Sequence, residues 1–175
     1  MCAIAVTRAR GILGRRAVAA RVSPSLCQSL TLSPFRVLPR RRPSDFRTHD
    51  NFFVYGGNGM KNDFGGHDNY HYSNYYAYVG QAIGFYDAPM LPGHEDHFEN
   101  NTLVLTGTNV GAMTCSGEGK TVLSHNKYYT PDGTITECDM PLEEWQAKGE
   151  DKGSTVAKQP DDATIIGWAK ALLKF

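Results

Sequence analysis

One pattern constrains this chain more than any other. An asparagine followed at the second and fourth positions by a large apolar residue or threonine occurs four times, at nearly even spacing. The copies are Asn51/Phe53/Tyr55, Asn74/Tyr76/Tyr78, Asn101/Leu103/Leu105 and Asn126/Tyr128/Thr130, at intervals of 23, 27 and 25 residues. Glycine follows each within a few residues, at Gly56, Gly80, Gly107 and Gly133. The inner period of two belongs to a strand, whose alternate side chains face opposite ways. The outer period marks a unit too small to bury its own apolar face, which must therefore stack on copies of itself.

A second match fixes the offset between two units. Gly66-His67-Asp68-Asn69 returns 27 residues later as Gly93-His94-Glu95-Asp96. A hairpin sheet would place turns every ~8–12 residues, so a match at 27 favours a coil. A helical solenoid is disfavoured because Asn, Tyr, Thr and Gly dominate the units. Stacking coils about 4.8 Å apart lines Asn51, Asn74, Asn101 and Asn126 into one column. Each amide both donates and accepts, so the column bonds along the stack and is read as structural.

The four Asn-centred rungs, the Gly-His-acid turns and the ending LEEWQAKGEDKGSTVAKQPDD resemble the last coils of a right-handed parallel β-helix protein of the pectin-lyase-like kind, over roughly residues 45–160. The expected fold class is thus all-β, a right-handed parallel β-helix (solenoid) fragment with short C-terminal capping helices. The resemblance implies a polysaccharide or glycan partner, a secretory or extracellular location, and further coils upstream. Its members include lyases, hydrolases, epimerases and adhesive proteins without activity, so the fold alone does not choose among these.

Three segments follow. Residues 1–44 hold nine arginines and no acid, which reads as a basic leader of transit-peptide type or a misassigned start. Residues 45–138 hold the coils. Residues 139–175 form the cap, with one helix bracketed by Asp139 and Gly149 and a second starting near Pro160-Asp161-Asp162. In the second helix Ile165, Ile166, Ala169, Leu172 and Leu173 make an apolar stripe expected to cover the last coil. Cys115 and Cys138, 23 residues apart, fall about one coil apart, within reach of a disulfide; two buried free thiols are the alternative.

The residues with chemistry cluster in the two aligned turns. Stacking sets His67 above His94 and Asp68 above Glu95, and these four are the candidate catalytic groups, as base and cation ligands. Glu95 and Asp96 are candidate metal ligands, with calcium the cation that carboxylate oxygens suit. The competing reading is that these side chains close turns by bonding to backbone, as Asp and Asn often do. Among the many aromatics, Tyr75 faces outward in this scheme and is a candidate sugar platform. In Asn100-Asn101-Thr102, a glycosylation sequon, Asn100 faces outward if Asn101 faces in.

Charge sharpens the substrate question. Residues 45–175 carry nine Lys/Arg against all 18 acids, which argues against a nucleic-acid partner. Beyond Arg47 there is no arginine, so the arginine base that a pectate-lyase-like site would use is missing from this part. No complete P-loop, Gly-x-Ser-x-Gly elbow or CxxC spacing occurs. No apolar run is long enough for a membrane span. The expectation is a carbohydrate-binding or polysaccharide-processing β-helix protein, with a non-enzymatic structural or adhesive stack as the alternative.

Overall fold

The structure is a computed structural model that describes residues 4–6, 44–63, 66–86, 92–111 and 121–174 of the chain. Its strands are β1 (Ile4–Val6), β2 (Arg47–His49), β3 (Phe52–Asp63), β4 (Tyr70–Tyr72), β5 (Tyr75–Tyr86), β6 (Asp96–Glu99), β7 (Thr102–Leu105), β8 (Thr121–Ser124), β9 (Lys127–Thr130), β10 (Thr136–Glu137), β11 (Met140–Pro141) and β12 (Thr155–Lys158). Two helices, α1 (Leu142–Ala147) and α2 (Asp162–Leu173), complete it. The strands β3-β5-β7-β9-β12 form one parallel sheet, edged by β1 in antiparallel pairing with β3. The strands β2-β4-β6-β8 form a second parallel sheet. The chain therefore alternates between two sheets, one coil per repeat, as a β-solenoid of about four turns.

Each corner into the larger sheet is built the same way. Asp50, Ser73, Asn100 and His125 hold left-handed φ values of 53–55°, each directly before a ladder asparagine. A left-handed residue reverses the local pleat, and Asp, Asn and His tolerate it better than most. At the fifth corner the residue is Gly153 (φ 75°), where a Cβ would lie 2.7 Å from the His125 ring. Glycine is required there by both conformation and space.

The ladder runs one way. The Asn51, Asn74 and Asn101 backbone amides donate to the side-chain oxygens of Asn74, Asn101 and Asn126, at 3.2, 3.0 and 3.0 Å. The side-chain amides donate to the same oxygens and also back to the carbonyls of His49, Thr48, His71 and Phe98. The last step is different. Asn126 N–H donates to Ser154 Oγ at 2.7 Å, and Ser154 in turn donates to Asp151.

Inside the coil, Phe53, Tyr76, Leu103, Tyr128 and Val156 form the column two residues after each ladder position. Met60, Ile83 and Val110, with Phe98 and Leu123 from the second sheet, pack against this column in the same core. The expected apolar partners two residues further on behave unevenly. Leu105 and Thr130 are buried, but Tyr55 and Tyr78 stand at left-handed corners within β3 and β5 (φ 57° each), and Tyr55 is 63% exposed. The pairing slips by one residue there, so Leu105 lies beside Val79. Gly111 (φ 130°) sits so close to Ile83 that a Cβ would meet its carbonyl at 2.0 Å.

The tail departs from the expected end cap. Its strand β12 is the last rung of the larger sheet. The helix α2 starts at Asp161, whose carboxylate accepts from Thr164 N–H at 2.8 Å. It lies against the outer face of that sheet, with Ile165, Trp168, Ala169 and Leu172 over Phe52, Tyr75, Ala77, Val104 and Tyr129. The reason is residue choice: Phe52, Val54, Ala77 and Val104 make this outer face apolar, so it needs a cover. Ile166, part of the expected stripe, is exposed. The first helix uses no acidic cap. Asp139 instead joins Cys138 as the two left-handed residues (φ 61° and 47°) of the turn between β10 and β11, a type I′ arrangement. Leu142 of α1 enters the core.

Residues 1–44, the expected leader, lie largely outside the described residues; Ile4–Val6 within them form β1. Among the described residues no helix is long and apolar enough to cross a membrane.

Candidate functional site

The smaller sheet presents its outer face beside the turns that carry the histidines. Along β2, β4 and β6, Thr48, His71 and Phe98 occupy one register position and the residues on either side occupy the opposite face. Two columns of rings result. In one, the Arg47 guanidinium lies 5.0 Å from the centre of the Tyr70 ring, which stacks on His97 at 4.4 Å. In the other, His49 stacks on Tyr72 at 4.8 Å, with Glu99 next in register. Stacking covers ring faces, so these columns offer ring edges: phenol hydroxyls and imidazole nitrogens. His97 Nδ1 pairs with Glu99 at 3.0 Å, and its Nε2 lies 3.8 Å from Glu95.

At the margin of this face the structure brings together three of the four candidate catalytic residues. Asp68 Oδ2 lies 2.8 Å from His67 Nδ1 and 2.6 Å from His94 Nδ1. The two imidazole rings, from successive coils, are 4.1 Å apart. Asp68 is held by a left-handed backbone (φ 56°) and by its N–H, which donates to the Glu95 carbonyl at 2.7 Å. Hydrogen bonding to His67, and then the bond and charge of His94, hold its carboxyl below the usual carboxylate range. The group stays ionised at neutral pH, able to accept hydrogen bonds or to hold a cation.

Glu95 is aligned with Asp68 by that backbone bond, but its exposed side chain approaches His97. Asp96 does not reach the cluster at all. It is fully buried, and its Oδ1 accepts from the Asn69 backbone (2.8 Å) and side chain (3.1 Å). The expected Glu95/Asp96 calcium pair is therefore not assembled, because the two side chains leave the backbone on opposite faces of the turn. Asp96 belongs instead to a second ladder, Phe46 N–H to Asn69 to Asp96, at the corner opposite the asparagine column. The match of Asn69 to Asp96 at an offset of 27 carried this signal.

Tyr75 is outside the coil as expected, but it is not open. It is half-buried, stacking on Phe52 (5.6 Å) and packing against Trp168 of α2 (5.9 Å), so its ring faces are already engaged. Asn51, Asn74, Asn101 and Asn126 are buried in the ladder. Asn100 of the sequon is exposed, and its side chain donates to Ser73. Cys138 is disulfide-bonded; Cys115 lies outside the described residues. His71 faces inward among buried groups, and burial pulls its pKa down to about 4, so it is neutral at pH 7.

Fold and site together define a class: a parallel β-solenoid with one outer sheet face covered by a helix and the other lined with rings, imidazoles and carboxylates. No family, curated protein or solved structure matches the chain.

Proposed function

We propose that this chain is a carbohydrate-binding or polysaccharide-processing solenoid, with the outer face of the smaller sheet as its binding surface. One observation carries the reading: this outer face, unlike the one packed against α2, sets tyrosine, histidine and carboxylate side chains in columns repeating with the coil. Tyr70, Tyr72, His49, His97 and Glu99 supply donors and acceptors at strand spacing, the chemistry that a hydroxyl-rich chain requires. His67 and His94, both held by the ionised Asp68 between them, are the bases such a surface would use in turnover. The resemblance to pectin-lyase-like proteins points the same way, and the disulfide at Cys138 suits an oxidising, secretory setting.

The test is titration of the full chain with neutral and uronic oligosaccharides, with and without calcium. Tyr72→Ala should weaken binding at least tenfold, and Tyr55→Ala, on the other sheet, should leave it unchanged. Unsaturated products that disappear in His94→Ala would make the protein a lyase. Binding without turnover would make it an adhesive stack, and failure to bind any glycan would defeat the reading.

A further inference from the structure

We propose that His67, Asp68 and His94 form a binding site for a divalent transition-metal ion of the zinc type. The site differs from the calcium pair expected from the sequence, and it stands independently of glycan binding. Each residue offers one ligand atom to a group whose members lie within 4.8 Å of one another, and the Nδ1 atoms of His67 and His94 both face Asp68 Oδ2. Among the described residues this is the one group of three or more such ligands that converges.

Three observations specify the ion. The first is ligand type. Two imidazoles and one carboxylate suit zinc and its first-row neighbours, whereas calcium takes six to eight oxygens, as a rule. The second is spacing. Zinc bonds of about 2.0–2.1 Å place tetrahedral ligand atoms about 3.3 Å apart. The present separations of 2.6 and 2.8 Å to Asp68 are those of hydrogen bonds, and small rotations of the Asp68 and His94 side chains, each more than a third exposed, open them to that distance. The third is access. His67 is 14% exposed in its side chain, Asp68 36% and His94 38%, so the ion is anchored from the inner side and open outward. Three protein ligands with a free position is the arrangement of a zinc site that keeps a water.

The fold preorganises these groups. His67 bridges in parallel to Ser44 on one side, and Asp68 bonds to the Glu95 backbone on the other. The left-handed corner at Asp68 turns its carboxylate out between the two rings. Closing the turn would explain a hydrogen bond from His67 to its neighbour. It gives no reason for a second imidazole, from the next coil, to converge on the same oxygen.

Isothermal titration of the tag-free full chain with zinc chloride tests the proposal, with calcium chloride as the comparison. The expected result is one zinc site, at least tenfold weaker in His94→Gln and in Asp68→Asn, and unchanged in His97→Ala. Asparagine tolerates the left-handed corner, so Asp68→Asn separates ligation from folding. Circular dichroism melting of each variant checks that separation. Absence of zinc binding, equal binding of calcium, or affinity unaltered in both ligand variants would overturn the proposal. So would loss of the site in His97→Ala, which would place the ion at the His97/Glu95/Glu99 group instead.

Discussion

Asn101 shows how one side chain serves several neighbours. Its oxygen accepts from the Asn74 backbone and side chain, and its amide donates to Asn126 and to the His71 carbonyl. All of this happens away from water, so truncation leaves buried groups without partners. Each such group costs about 1–3 kcal/mol. Asn101→Ala should lower unfolding stability by about 2–6 kcal/mol in urea titration, because the Asn74 N–H and the His71 carbonyl each lose a partner. Asn100→Gly, one residue away and exposed, keeps a residue that accepts the left-handed corner and should cost under about 1 kcal/mol. A small loss for Asn101 would mean that the ladder is incidental to the stack.

At the scale of elements, α2 is a cover on one sheet face. Trp168 joins it to Tyr75 (5.9 Å) and Tyr129 (5.3 Å), and Tyr78 donates to Asp162 in its first turn. Trp168→Ala should therefore loosen the helix while the coils remain folded. Hydrogen exchange should rise through residues 162–173, and the amides of β5, β7 and β9 should stay protected. Exchange rising equally in those strands would show that the helix is a structural end of the stack. The turn between β10 and β11 is a second point of stress. Two non-glycine residues take left-handed values there, and the disulfide at Cys138 restrains one of them.

For the whole molecule, pH acts through two buried groups of opposite sign. His71 is neutral when folded, with its pKa lowered by burial to about 4 from 6.5. The unfolded chain takes up that proton first, so stability is lost as pH falls from 6.5 towards 4. Glu137 is the reverse. It is fully buried among the described residues with no donor reaching its carboxyl oxygens. Burial, and then the neighbouring Asp151, push its pKa up strongly. The folded state keeps a proton that the unfolded state releases, so stability declines as pH rises above 4.5. Between 4.5 and 6.5 the two effects oppose each other, and above 6.5 Glu137 acts without His71. Glu137→Gln preserves a donor towards Asp151 and should flatten the decline between pH 7 and 9 in melting experiments. A wild-type melting temperature that is flat across that range would count against a protonated Glu137. His71→Phe should remove the acid-side loss and leave the alkaline side unchanged.

The repeat itself determined the coil, the asparagine column, the inner residues Phe53, Tyr76, Leu103 and Tyr128, and the meeting of His67 with His94. All of these depend on one offset between stacked strands, and an offset is a property of sequence. The corner signal was present too, in the small polar residue or histidine before each ladder asparagine, at Asp50, Ser73, Asn100 and His125. What periodicity could not supply was the direction in which each residue leaves the backbone where the pleat breaks. Asp68 sits at a left-handed corner with its carboxylate against two imidazoles, whereas Asp96, the equivalent of Asn69 in the repeat, is buried in the second ladder. Nor could it show which sheet face α2 would cover. That depended on apolar residues contributed by four separate coils, which only the assembled sheet places side by side, and it set Trp168 against Tyr75 while Tyr70 and Tyr72 lie on the smaller sheet, away from the helix.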